Sequence, residues 1–386
     1  MTRKLPALGA ALGALAREGA AGAKQVVDRV AGRGLHGRPL SFERDRVVLI
    51  FFEDVERDTF VRGDRHLRRP ARRIVRALRT GQNVTGFGVA VAMLVRALER
   101  QGYRVVVNDR ALARANPKYP VAITGYPHIL DGWDLPNPAV LGPGLLDHPG
   151  MRPALMTDPR FRWYLAHSDW VRDLFERAWP DRCFTWFAGI DAAEWPDLAG
   201  GPKEFDFLLY EKFLWDKDGQ RRTLLAPIEA ELARRGLRVA HLRYGRYTHE
   251  SYRDLLARSS ALLFLCEHET QGLAYQEALA CNVPLLSWDQ GRWLDPIRLR
   301  YGDREVPASS TPYFSPECGE RFAGLSDFGA ALDRFLARRD GYRPRAYVAR
   351  TLSLEESGRV YLEKYAALAQ AAPAASGCAA GQAAGS

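Results

Sequence analysis

Two glutamates, Glu269 and Glu277, stand eight residues apart in CEHETQGLAYQEALACNVPLLSW (266–288), with Gly272 between them. A carboxylate at a ligand site accepts charge-assisted hydrogen bonds from hydroxyl groups. The same residues also have a purely structural use, since Glu269 can complement a helix dipole and Glu277 can be a solvated helix residue. The elements around them separate the two uses. The preceding SSALLFLCE is a short apolar run that reads as a buried strand, LAYQEALAC has helical spacing, and VPLLSW returns as a second buried strand. Glu269 then falls in the loop at the carboxyl end of a strand, and Glu277 about a turn and a half into the helix. In an open α/β sheet that crevice is where ligands bind.

The rest of the chain supplies the scaffold such a crevice requires. RVVLIFF (46–52) reads as a strand, GVAVAMLVRALERQGY (88–103) as a helix, and VVVN, YPVAITGYPHIL and PAVLGPGLLDH as strands running into loops. FRWYLAHSDWVRDLFERAW adds a strand and an amphipathic helix. After the linker-like DAAEWPDLAGGPKEF a second series begins with FDFLLYEKF, RRTLLAPIEAELARRG, LRVAHLRYG and YRDLLARSSA. The glutamate segment and the helix DFGAALDRFLARRDG follow, and TLSLEESGRVYLEKYAALAQA closes the fold. Two successive βαβ series argue for an α/β protein with two parallel-sheet, Rossmann-like domains facing across a cleft. The expected boundaries are 41–198 and 199–350, then a closing helix over 351–371. Residues 1–40 form an Ala- and Gly-rich leader, and 372–386 a low-complexity, disordered tail.

Whole-chain properties narrow the classes. A length of 386 residues with 47% hydrophobic residues suits two or three globular domains. Five cysteines are scattered without CxxC spacing, which argues against a metal cage or disulfide framework and fits a reducing compartment. The formal charge of +9 resides in residues 1–80, which hold 18 Lys and Arg against 9 Asp and Glu, while the remainder balances at 37 against 37. A basic arm on a neutral body points to one localised anionic partner. MTRKLPALGAALGALAREGAAGA has the positive start of a signal peptide, with an Ala-rich helical or disordered leader as the alternative. No run approaches the roughly 18 apolar residues of a membrane span.

The strand, the Glu-x7-Glu pair with Gly272 three residues after the first glutamate, and EALAC-x-VP together resemble the donor-site signature of family 4 glycosyltransferases of the GT-B fold. The likeness of element order runs over roughly 46–368. Asn282 stands where that family has Gly, and Asn also tolerates a left-handed helix cap. The resemblance implies that Glu269 faces the transferred sugar and Glu277 the ribose of a nucleotide-sugar donor. The amides of Thr270, Gln271 and Gly272, at a helix start, would meet phosphate or sugar oxygens. It further implies that Lys212 and Lys217 in LLYEKFLWDKDG neutralise the departing diphosphate, Lys212 replacing an Arg and so lacking its bidentate fork. Gly86 and Gly88 in NVTGFGVAVAML match a Gly-rich loop near donor phosphates and acceptor. His148 in LLDHPG matches a histidine near the sugar, with His128 in GYPHIL as the fallback. Gly189 and Asp191 match an interdomain Gly-Ile-Asp turn. The activity implied is retaining glycosyl (hexosyl) transfer, with no metal and no cofactor.

One segment lies outside the resemblance. RGDRHLRRPARRIVRALRTG (62–81) carries eight arginines and one acid within an insertion over about 54–81. It reads either as a solvated basic helix or as a membrane-surface helix, with Ile74, Val75 and Leu78 beside Arg72, Arg73, Arg76 and Arg79. The second reading suits a lipid-linked acceptor in bacterial surface glycan assembly, at the inner face of the cell membrane of an otherwise cytoplasmic protein. Three alternatives stay open: a nucleotide-sugar-binding relative without catalysis, a sugar-nucleotide epimerase on the same fold, and a nucleic-acid-binding protein. The last is disfavoured because the arm has few aromatics interleaved for base stacking.

Overall fold

The computed structural model describes residues 34–53 and 86–371. The leader up to residue 33, the basic insertion with Arg62–Arg79 and the tail from 372 lie outside the described residues. Residues 34–40, placed with the leader from sequence, pack on the first domain through buried Leu35 and a hydrogen bond between His36 and Asp109.

The first sheet contains β1 (Val47–Glu53), β2 (Arg104–Val107), β3 (Val121–Gly125), β4 (Ala139–Leu141), β5 (Phe161–Ala166) and β6 (Cys183–Thr185), in the order β2-β1-β3-β4-β5-β6. The second contains β7 (Phe205–Lys212), β8 (Val239–Arg243), β9 (Ser259–Cys266), β10 (Leu285–Trp288) and β11 (Gly319–Phe322), in the order β11-β10-β9-β7-β8. All pairings are parallel. Parallel strands buried on both faces read as continuous apolar runs, which is why VVLIFF and SALLFLC stand out in sequence. Alternate residues serve opposite layers. Val47, Leu49 and Phe51 pack in one core with Leu112 and Tyr119, while Val48 and Ile50 meet Leu94, Leu98, Tyr361 and Tyr365 in the other. The helices covering the sheets are α1 (Gly86–Arg100), α2 (Arg110–Ala115), α3 (Asp169–Glu176), α4 (Ala226–Arg234), α5 (His249–Arg258), α6 (Leu273–Ala280), α7 (Leu325–Arg338), α8 (Pro344–Thr351) and α9 (Leu354–Ala371).

The strand order reverses beside β1 in one sheet and beside β7 in the other, so each sheet has a crevice beyond the carboxyl ends of β1/β3 or β7/β9. Between the sheets the chain passes through Gly189, whose Cα lies so close to α9 that an added Cβ would sit 2.6 Å from the Leu354 Cα. The buried Asp191 carboxylate meets Arg96 at 2.6 Å and Arg100 at 2.9 Å, fastening the connection to α1. Helix α9 then returns to the first sheet as the expected closing helix. Its Tyr365 hydroxyl donates to the Pro120 carbonyl at 2.5 Å and accepts from the Leu49 N–H at 3.0 Å.

One feature has no counterpart in the sequence reading. Residues 289–311 leave β10, form an arm pinned by a bridge between Arg292 and Pro307, and bury Trp293, Val306 and Ala308 in the core of the first domain. Trp293→Ala is expected to cost about 3–5 kcal/mol, the range for removing a buried aromatic. A thermal midpoint equal to that of the wild type would show that the arm does not brace the two domains.

Candidate functional site

The crevice of the second domain is built from the ends of β7 and β9. The register pairs Lys212 with Cys266, and three residues later the loop brings Glu269 back to Lys212, Nζ to Oε1 at 2.5 Å. Both side chains are mostly buried, at 15% and 12% exposure. Burial works to lower the Lys212 pKa, but the Glu269 carboxylate, with smaller contributions from Cys266 and Tyr244, raises it overall. The ammonium also lies 4.6 Å from the ring centroid of Tyr244, an exposed aromatic just after β8.

Both faces of this loop are braced. The Glu269 N–H donates to the Ser309 carbonyl of the arm at 2.9 Å, and the Glu269 carbonyl accepts from Trp170 Nε1 of α3, in the first domain, at 2.8 Å. The buried Glu267 carboxylate accepts from the Leu214 N–H at 3.0 Å and the Trp215 N–H at 3.1 Å, tying the β9 loop to the β7 loop. Burial raises the Glu267 pKa, against the pull of these amides. His268 lies edge-on between Trp170 and Trp215. Burial lowers its pKa to about 4, so it is neutral at physiological pH. Neither His268 Nε2 nor Trp215 Nε1 has a hydrogen-bond partner among the described residues.

Helix α6 begins at Gly272, whose φ of 82° and contact with the Tyr275 ring exclude a side chain. Glu277 lies on this helix, largely buried, with His249 Nε2 3.7 Å from its carboxylate. Thr270 is exposed, and the Thr270, Gln271 and Gly272 amides make no backbone hydrogen bond among the described residues. The Gln271 side chain is committed elsewhere: its Oε1 accepts from the Ala188 N–H at 3.0 Å and its Nε2 donates to the Ala188 carbonyl at 2.8 Å. Lys217 is exposed at the start of a short helix capped by Asp216 and has no ion-pair partner among the described residues.

In the first domain, Gly86 and Gly88 open α1, and His128 follows β3 with Nε2 3.8 Å from the carboxylate of Glu53 at the end of β1. His128 and Glu53 thus meet at that domain's own crevice, where β1 and β3 end. His148 does not join them. Its Nε2 donates to Asp303 at 2.7 Å, its Nδ1 accepts the Gly150 N–H at 2.9 Å, and its ring stacks on Tyr301 at 4.2 Å. His148 thus packs against the arm, whereas His128, the other histidine singled out in the sequence, lies at the crevice of the first domain. Sequence reasoning passed over Glu267, His268, Trp170, Trp215 and Tyr244. Of these only Glu267 left a signal, as a further acid in CEHE. Among the described residues no cluster of three or more His, Cys, Asp or Glu side chains is placed to hold a metal ion, and no helix is long and apolar enough to cross a membrane.

No protein-family model matches the chain, and no curated protein matches it. Among solved structures, a glycosyltransferase from Rickettsia africae ESF-5 is similar over 84% of this chain and 99% of that chain, with a TM-score of 0.53 and 9% identity. AviGT4, a glycosyltransferase involved in avilamycin A biosynthesis, is similar over 84% of this chain and 98% of that chain, with a TM-score of 0.48 and 14% identity. The first likeness shows a shared fold, the GT-B arrangement of two Rossmann-like domains.

Two predictions follow from the charges. Lys212→Met strands a buried carboxylate and is expected to cost about 3–5 kcal/mol, most of it recovered by adding Glu269→Gln. A double variant as unstable as the single one would deny the pair its coupling. Burial raises the Glu277 pKa, with His249 and Arg253 opposing, so the folded state holds that proton more tightly than the unfolded chain. The associated stability is complete at low pH and is lost as pH rises through the raised value. Glu277→Gln should thus melt above the wild type near pH 7 and converge with it near pH 4; identical melting at both values would remove the burial argument.

Proposed function

We propose that this protein is a glycosyltransferase that moves a sugar from a nucleotide-sugar donor to an acceptor hydroxyl. The observation that carries the reading is the Lys212–Glu269 pair at the carboxyl ends of β7 and β9, where the strand order reverses. A donor diphosphate would compete with Glu269 for Lys212. Once released, the Glu269 carboxylate would hold sugar hydroxyls by charge-assisted hydrogen bonds. The unbonded amides at Thr270–Gly272 would add donors at the start of α6, and Lys217 would bring a second cation. Glu277, largely buried beside His249, would accept from the ribose.

The chemistry needs no bond to the protein. The anomeric carbon loses the diphosphate oxygen and gains the acceptor oxygen, whose proton leaves with the departing phosphate or to solvent. Lys212 and Lys217 would stabilise the charge that builds on the diphosphate, which lowers the barrier because they bind it most strongly in the transition state. Retention, a glycan or lipid-linked acceptor and a place in bacterial surface glycan assembly belong to the same proposal and rest on the family resemblance. Attachment to an anionic membrane surface rests on the basic segment alone. One observation favours a second reading, a nucleotide-sugar-binding protein without turnover: His148, the first-choice histidine, is sealed at both ring nitrogens.

A thermal-shift screen of the full chain against nucleotide sugars and nucleoside diphosphates tests the proposal, since a ligand at a hundred times its Kd stabilises by about 2.7 kcal/mol. For the donor that scores, Glu277→Ala is expected to weaken binding by about 1.5–3 kcal/mol. Lys217→Ala is expected to lower kcat more than it raises KM. Stabilisation by no nucleotide sugar removes the reading, and binding without turnover in any acceptor extract favours the second one.

A further inference from the structure

At the opposite end of the second sheet lies a cavity of about 400 Å³ between the interdomain linker, the start of β9, the turn 282–284 and the segment 339–343. Three cations line it, Lys203, Arg339 and Arg343, against the single carboxylate of Asp340. None is closely paired. Lys203, half-buried, donates to the Ala257 carbonyl at 3.0 Å and has no carboxylate within ion-pair distance among the described residues. Burial lowers its pKa, as expected of an ammonium short of counter-charge. The Arg343 guanidinium donates to the carbonyls of Asp340 and Tyr342, each at 2.7 Å, and has no carboxylate within ion-pair distance among the described residues. Arg339 reaches Asp206 and the fully exposed Asp340 only at 3.9 Å. Binding to the carbonyls at helix ends accounts for the individual donor bonds. It does not account for three cations sharing one concavity whose other wall is Tyr342, Val283 and Pro284.

We propose that this cavity binds a small organic phosphate: a dianionic phosphate among Lys203, Arg339 and Arg343, and its organic body against Tyr342 and the Val283–Pro284 turn. The site is distinct from the Lys212–Glu269 crevice. The eight residues of β7 separate the two, roughly 26 Å at about 3.3 Å per residue. Its walls nevertheless join the interdomain linker to the end of α6. The Leu198 N–H donates to Cys281 at the end of α6, and the Asn282 side chain bonds Asp197 of the linker at 3.2 Å. An occupant would therefore touch both the linker and the helix that carries Glu277. The proposal does not depend on the glycosyl-transfer reading.

Calorimetric titration of the full chain with glucose 6-phosphate, inorganic phosphate and glucose tests it, on the wild type and on K203Q/R343Q, K203R/R343K and K217Q. Glucose 6-phosphate should bind the wild type, K217Q and the charge-preserving K203R/R343K alike, and K203Q/R343Q about tenfold or more weakly. Should the neutralised pair fail to fold, R343Q alone, at an exposed residue, reads the same loss. The site is overturned if the wild type binds no glucose 6-phosphate at millimolar concentration, if K203Q/R343Q binds as the wild type does, or if K217Q loses the binding instead. Inorganic phosphate binding as tightly as glucose 6-phosphate overturns the organic body of the ligand.

Discussion

A buried ammonium and a buried carboxylate at the ends of two adjacent parallel strands set the terms for everything around them. Either charge alone would be expensive to desolvate, and the pair is tolerable because geometry and hydrogen bonds hold it together. That geometry depends on β7 and β9 being neighbours, which the reversal of strand order supplies. It also depends on a loop that turns back within three residues, and the loop keeps its shape through contacts from three directions. Ser309 of the arm holds the Glu269 N–H, Trp170 of the first domain holds the Glu269 carbonyl, and the Glu267 carboxylate binds the β7 loop beside it.

These braces make the loop a joint between domains. Gln271 grips Ala188 of the connection, and the Tyr313 hydroxyl donates to the His167 carbonyl at 2.5 Å. His148 against Asp303 and Tyr301 adds a contact at the far end of the arm. A ligand that drew Lys212 away from Glu269 would act on the same few residues that carry Trp170 and Ala188. Linkage then requires that ligand affinity and the relative placement of the domains depend on each other.

The strands and long helices were legible because their burial is periodic or continuous, as in VVLIFF, ALLFLC and the α1 helix. Strands β6 and β11 were not, since short segments without an apolar run carry too little pattern; GERF of β11 offers one buried aromatic, Phe322. The arm escaped for a different reason. Trp293 and Val306 are buried by a domain whose sequence lies more than a hundred residues away, and no local signal announces that. The same cause hid the contact of His148 with Asp303, 155 residues distant. Within the crevice, residue types and spacing located Lys212, Glu269 and Gly272. They did not reveal that Lys212 is buried against Glu269 while Lys217 is exposed.

Several polar groups that the fold leaves poorly compensated lie at this end of the second sheet. Glu267 and Glu277 are carboxyls whose burial disfavours their charge, and His268 Nε2 and Trp215 Nε1 are buried without partners among the described residues. An unsatisfied buried donor or acceptor costs about 1–3 kcal/mol, and apolar residues of similar shape would remove that cost. Sequences selected for stability alone replace such groups, whereas functional sites retain them and accept the loss. The loop from β9 to α6 has the opposite of an economical composition, with two acids and a histidine beside a buried lysine. Under the proposed function, the Glu269 carboxylate, already paired, would become available to a ligand only if an anion took over Lys212, so the ion pair would favour ligands that bring a negative charge together with hydroxyl groups.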